Sequence, residues 1–199
     1  MQEWTIQTGI PVDQIDRAAK LYWQAFEGKL GRLMGPADRA HGFFREVMDP
    51  RYALSAVDEN GTLIGLAGYK TSAGSMVGGN LSDLARSYGW FGALWRGLLL
   101  SALERDIEDG VLLMDGICVA PEGRGRGVGT ALLSAIKQQA VDQGAKAVRL
   151  DVIDTNPRAR RLYEREGFVA VGESQTGPLK WVFGFSKATG LRFQIGQAP

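Results

Sequence analysis

Four glycines alternate along Gly123-Arg124-Gly125-Arg126-Gly127-Val128-Gly129, just ahead of a run with helical apolar spacing. A helix N-terminus presents unpaired N–H groups and about half a positive charge. Glycines let a phosphate approach those groups closely, and Arg124 and Arg126 add charge. The stretch therefore suits anion binding. A P-loop would end in Gly-Lys-Ser/Thr, whereas Gly129-Thr130 has no lysine. The dinucleotide pattern Gly-x-Gly-x-x-Gly fails as well. Counted from Gly123 its last glycine falls on Val128, and counted from Gly125 it falls on Thr130. A ligand-free turn is the plain alternative, but such a loop needs no alternation of Arg and Gly at a helix start.

Other residues with chemical potential are few. Asp115 is the one carboxylate in the apolar run 112–119. Side-chain alternation groups it with Leu113, Ile117 and Val119, and puts Cys118 on the opposite face. Cys118 has apolar neighbours, which favours a buried structural thiol over a nucleophile. His41 is the single histidine, so a His-dependent triad or a metal cluster has almost no material, and no metal is expected. Asn156 stands before Pro157, where it suits a helix N-cap. Tyr163 follows Asn156 by seven residues, about two helical turns, so the two lie near one face.

Elements must hold these residues in place. Alternation predicts a strand at 2–8, and Asp13 is placed to cap a helix bearing Leu21, Tyr22 and Phe26. A second helix starts near Pro36. Residues 52–57 and 63–69 read as strands, with Asn60-Gly61 between them as a hairpin signal, because both residues can take positive φ. Gly74, Gly78 and Gly79 suggest a mobile loop. Residues 84–105 read as a helix weakened by Gly89, Gly92 and Gly97. Strand 112–119 is expected to be closed to solvent on both faces. The glycine turn, a helix ending at Gly144, strand 147–153 and a short helix from Pro157 to Gly167 follow. Alternation of Trp181, Phe183 and Phe185 against Val182 and Gly184 predicts a last strand over 179–186. Such a mixture is α/β or α+β with a mixed sheet, and no linker or repeat divides the 199 residues into more than one domain.

Three motifs together resemble the GNAT superfamily of N-acetyltransferases. Arg124, Gly127 and Gly129 match its Gln/Arg-x-x-Gly-x-Gly/Ala signature. The run Asp115 to Glu122 is similar to the family's fourth strand with the Val-x-Pro turn after it, and Leu150-Asp151-Val152 to its fifth. The run Asn156 to Phe168 matches Asn-x-x-Ala-x-x-Leu-Tyr-x-x-x-Gly-Phe. The resemblance is specific over 112–170, looser over 1–70, and lapses at 71–110 and after 188. It implies a mixed, mostly antiparallel, six- to seven-stranded twisted sheet flanked by helices. A V-shaped splay is expected between strands 112–119 and 147–153. Residues 71–110 become an acceptor-side elaboration, and 188–199 a C-terminal extension.

The resemblance also implies acetyl-CoA as co-substrate and a small-molecule or peptide amine as acceptor. Arg124, Gly125, Arg126, Gly127, Val128, Gly129 and Thr130 would grip the pyrophosphate. The main chain of Ile117, Cys118 and Val119 would pair with the pantetheine arm, and Asn156 would contact the donor beside its capping role. Tyr163 would face the sulfur, where a phenol of pKa about 10 can protonate a thiolate whose parent thiol sits near about 8.5. Asp115 is the candidate base, with water or another acid as alternatives. A non-catalytic acyl-CoA sensor is the rival function, and Tyr163 weighs against it. Phe26, Tyr88, Trp90 and Trp95 either line the acceptor side or belong to the core.

Net charge is +1, which gives no reason to expect nucleic acid or an anionic membrane as a partner. The most apolar run, 90–103, contains Arg96 and is shorter than the ~20 residues of a membrane span. It suits a buried or partner-facing helix. One cysteine and no visible signal peptide point to a cytoplasmic protein. Acceptor identity and oligomeric state stay open, a homodimer included.

Overall fold

A computed structural model describes residues 3–101 and 107–196. Its sheet contains β1 (Trp4–Thr8), β2 (Ala53–Asp58), β3 (Leu63–Thr71), β4 (Gly74–Ser75), β5 (Val111–Val119), β6 (Ala147–Ile153), β7 (Val169–Gln175) and β8 (Lys187–Gln194). The helices are α1 (Ile15–Met34), α2 (Ala37–Val47), α3 (Leu81–Ser101), α4 (Val128–Asp142), α5 (Pro157–Arg165) and the short α6 (Lys180–Phe183). Strand order is β1-β2-β3-β5-β6-β8-β7, with β4 paired to β3. Among the described residues only β5 and β6 pair in parallel, so the sheet is mixed and mostly antiparallel as expected. The count of eight exceeds the expected six to seven because β4 is a two-residue pair.

The sheet separates two cores. On one face α1, α2 and α3 close over Leu33, Met34, Phe43, Phe44, Leu66 and Cys118. On the other, α4 and α5 pack Leu132, Leu133, Ile136 and Tyr163 against Leu112, Leu150 and Leu191. Lys137 anchors the end of α5 to α4 by donating to the Glu166 carbonyl at 2.7 Å.

Several local expectations change. Asp13 lies in a 3-10 turn, Val12–Gln14, and does not cap α1. The β2–β3 hairpin is present, but only Gly61 takes positive φ. The Asp58 carboxylate accepts from the N–H groups of Asn60 and Thr62, at 3.0 and 2.8 Å, and so organises a longer turn in which Asn60 keeps negative φ. The expected loop around Gly74 is the β3–β4 hairpin, and Met76 after it is buried.

α3 begins at Leu81, because Asn80 Oδ1 accepts from Ser82 and Asp83 N–H while the Asp83 carboxylate accepts from Asn80 N–H. This reciprocal cap satisfies donors at both ends of the first turn. Gly89 breaks the helical geometry with φ 70° and ψ 163°, and residues 102–105 of the expected helix lie outside the described residues.

The predicted strand 179–186 is overturned. Pro178 sits in a 3-10 turn, Lys180–Phe183 is helical, and Gly184 ends it in the left-handed region. Trp181 faces out while Phe183 and Phe185 are both buried, whereas alternation would put all three on one face. The helical turn at Lys180–Phe183 separates Trp181 from Phe183. The real strands are β7 and β8. β7 is an exposed edge with no alternating burial to read. β8 is not an extension. It lies between β6 and β7, so its small residues Ala188, Thr189 and Gly190 are enclosed without being bulky.

Candidate active site

β5 and β6 run side by side only from Val111↔Ala147 to Leu113↔Arg149. Beyond that point they part, as the resemblance implied. Residues 114–119 lose their β6 neighbour, so one edge of β5 has main-chain groups with no strand partner. The same gap explains why β5 is not closed on both faces. Leu113, Asp115, Ile117 and Val119 remain partly open.

Past the end of β5, a 3-10 turn at Pro121–Gly123 leads into the glycine stretch. Gly125 has φ 74° and Gly127 φ 80°. A β-carbon at either would touch nothing within 4 Å, so these positions are set by backbone conformation and open outward. Gly127 caps α4, and the first helical bond is donated by Ala131 N–H to the Gly127 carbonyl at 3.0 Å. The N–H groups of Val128, Gly129 and Thr130 are thereby left without intrahelical acceptors. Arg124 folds back to donate to the Val119 carbonyl at 3.2 Å, and Arg126 pairs with Glu3 at 2.6 Å. Asn156 Oδ1 accepts from Ala159 N–H at 3.1 Å, the expected cap.

Tyr163 is buried among the α4–α5 core and packs 6.0 Å from the Phe168 ring. Burial raises its phenol above the ordinary range, and the nearby Cys118 thiol adds to that. Cys118 belongs to the opposite core. Tyr163 shares its core with Ile117 and Val119 of β5, on the face opposite Cys118. Burial also pushes the Cys118 thiol up to about 12, which removes it as a nucleophile.

Asp115 corrects the parity argument. Gly68 pairs with Gly116 but Tyr69 with Met114, so Asp115 is the extra residue of a β-bulge. A bulge re-aims the side chain at its position. Leu112 and Met114 face the α4 side before it, and Ile117 and Val119 do so after it. Asp115 faces α1–α3, the side of Cys118, not that of Ile117 and Val119. Gly116 after it is packed on Phe26, whose ring leaves no room for a β-carbon. A glycine inside a strand is the sequence sign of such a bulge.

Asp115 lines a cavity of about 720 Å³ between the sheet and α1–α3. Tyr22, Leu30, Phe43, Phe44 and Leu84 give it apolar walls, and Lys29, Lys70 and Asp151 add charge. Asp115 Oδ2 is enclosed with no hydrogen-bond partner. Loss of solvent raises the carboxyl to about 6, against the Val77 main-chain bond and the attraction of Lys70 and Lys29. Of the four aromatics proposed for this side, Phe26 packs on β5 and Tyr88 donates from its hydroxyl to the Met34 carbonyl in the core. Trp90 and Trp95 point away. The wall residues Tyr22, Phe43 and Phe44 had a sequence signal only as core faces of α1 and α2. Among the described residues no group of three His, Cys, Asp or Glu side chains is placed to hold a metal, and no helix is long and apolar enough to cross a membrane.

Parted strands, a glycine turn and an open helix start together define a mixed α/β fold with a cleft along β5 that ends at the start of α4. The chain belongs to the acetyltransferase (GNAT) family, whose model matches residues 15–168. Over 64 residues it is 34% identical to bovine thialysine N-epsilon-acetyltransferase, covering 32% of this chain and 38% of that one. Over 67 residues it is 37% identical to an uncharacterized N-acetyltransferase of Bacillus subtilis, covering 34% and 42%. The chain thus spans about two fifths of the length of these relatives. An N-acetyltransferase from Staphylococcus aureus Mu50 superposes with a TM-score of 0.65 at 15% identity, over 95% of this chain and 100% of that one. Ard1 from Thermoplasma volcanium superposes at 0.63 and 14%, over 98% and 99%. At these identities the likeness is one of fold.

Proposed function

We propose that the protein is an N-acetyltransferase that moves an acetyl group from acetyl-CoA to a primary amine. The observation that carries this reading is the parting of β5 from β6 beside the glycine turn. It offers an extended ligand the outward main-chain groups of Ile117 and Val119, while Cys118 between them pairs with Leu66 of β3, and unpaired N–H groups at Val128, Gly129 and Thr130. These residues fit acetyl-CoA because Gly125 and Gly127 leave the approach clear. When bound, the co-substrate supplies the thioester that the amine attacks.

The chain's own groups then divide the proton work. Tyr163, protonated at neutral pH, gives its proton to the departing thiolate, although burial makes the phenol a weaker acid than a free tyrosine. Asp115, raised to about 6, is ionised at neutral pH yet more basic than an ordinary carboxylate. In the cavity it draws the ammonium form of the acceptor inward and takes a proton from it, directly or through water. Main-chain N–H groups of β5 stabilise charge on the thioester oxygen. Apolar walls from Tyr22, Phe43 and Phe44 suit an acceptor whose amine sits on a partly apolar body.

The test is thiol release from acetyl-CoA against a panel of amines, beside calorimetric binding of acetyl-CoA alone. Binding with release on at least one amine supports the enzyme. Binding without release on any amine supports the sensor reading, and no binding overturns the donor assignment.

A further inference from the structure

α3 after its break at Gly89 is apolar all round, which in a soluble chain marks a helix covered on both sides. Its inner side is covered. Ala93 is buried, and Leu84, Gly97 and Leu100 line the cavity. Its outer side is bare, with Trp90 67%, Phe91 93%, Leu94 65%, Trp95 43% and Leu98 73% exposed. At 100° per residue these five fall within one stripe about 140° wide. A fully open aromatic presents ~150–250 Å², so the stripe leaves on the order of 700 Å² open. A stable two-chain interface needs about 800 Å² per partner.

Charge separates the candidate occupants. Helices that lie on membranes carry a Lys/Arg-rich polar rim. α3 has two arginines, and both are engaged. Arg96 donates to the Leu33 and Gly92 carbonyls and stacks 4.2 Å from Tyr88 and 4.3 Å from Trp95. Arg86 pairs with Asp83 and Glu46. Among the described residues of α3, no free cation is left to hold lipid head groups. No residue of the stripe is charged, so two copies can meet across it without repulsion, and a two-fold axis needs only this kind of self-matching patch.

We propose that the stripe Trp90–Leu98 of α3 is the contact surface of a two-fold homodimer of this chain. Pairing would press α3 from outside against the cavity that its inner side walls, so the helix that shapes the acceptor space is steadied by the second copy.

Sedimentation equilibrium of the full chain at micromolar concentration tests this directly. The expected mass is that of two chains. Phe91→Glu combined with Leu94→Lys should weaken association at least ~100-fold while far-UV circular dichroism is unchanged. Trp181→Glu, at an exposed tryptophan off the stripe, should leave association as it was. If the double variant does not fold, Leu98→Gln should still weaken the dimer ~10-fold. A monomeric parent overturns the proposal. If that monomer floats with phosphatidylcholine vesicles, the stripe is a lipid-binding face instead. A dimer that none of the stripe variants weakens also overturns it, since another surface then holds the copies together.

Discussion

Asp115 is under two opposed demands. Its carboxyl is raised from 3.8 to about 6 because the ionised form loses water in the cavity. Between those values the folded chain holds more proton than the unfolded one, so stability falls as pH rises from 3.8 to 6 and stays lower above it. Asp115→Asn removes that slope. Urea unfolding should show the variant gaining roughly 2–3 kcal/mol on the parent at pH 8, and much less at pH 4. The same variant should lower turnover at neutral pH and recover rate toward the amine's own pKa, if the carboxylate acts as base. A raised KM with turnover intact would instead assign it to holding the cation. Tyr163→Phe should cost roughly 10² in turnover with acetyl-CoA affinity hardly changed, read by steady-state kinetics beside calorimetry. Near-parental turnover would leave the ring to packing against Phe168 alone.

At the scale of elements, the turn before α4 depends on conformation more than on space. Gly127→Val forces a β-branched residue to φ 80° at the helix cap and puts its side chain where the N–H groups open outward. Acetyl-CoA affinity should drop at least ~10-fold by calorimetry while the fold persists. Unchanged affinity would remove this turn from donor binding. α3 offers a contrasting case. Its start rests on the reciprocal pair Asn80 and Asp83, so Asn80→Ala should cost about 1 kcal/mol of stability. Because Leu81 and Leu84 line the cavity, fraying of this turn should raise the acceptor's KM more than it alters donor affinity.

For the whole molecule, β8 is the element whose place matters most. It bridges β6 and the edge strand β7, and Leu191 is fully buried against the α4–α5 core. Leu191→Ala should cost about 2–5 kcal/mol, whereas Val169→Ala on the exposed β7 should stay within about 0.5 kcal/mol. Chemical unfolding of the two variants checks the strand order, since a C-terminal extension would give two small values. Donor binding should also stabilise the chain globally. At a hundredfold excess over its Kd, acetyl-CoA should add about 2.7 kcal/mol, visible as a rise in Tm that Gly127→Val diminishes.

The sequence by itself determined local conformation at particular positions, though not at Asp13, Asn60 or 179–186. Gly125 and Gly127 announce positive φ, Asn156-Pro157 announces a capped helix, and the apolar spacing after Val128 announces α4. Its match to known motifs also located the parted strands, because 112–119 and Leu150-Asp151-Val152 carry it. Three features were decided only in three dimensions. The bulge at Asp115 arises from pairing with β3, and one extra residue reverses which face every later side chain takes. β8 is enclosed by neighbours on both sides, so small residues suffice where an isolated reading asks for bulky ones. The cavity beside Asp115 is made by α1, α2 and α3 meeting over the sheet, and its aromatic walls look in sequence like any helix core face. Each depends on contacts between residues far apart in the chain, and such contacts leave no periodic trace along it.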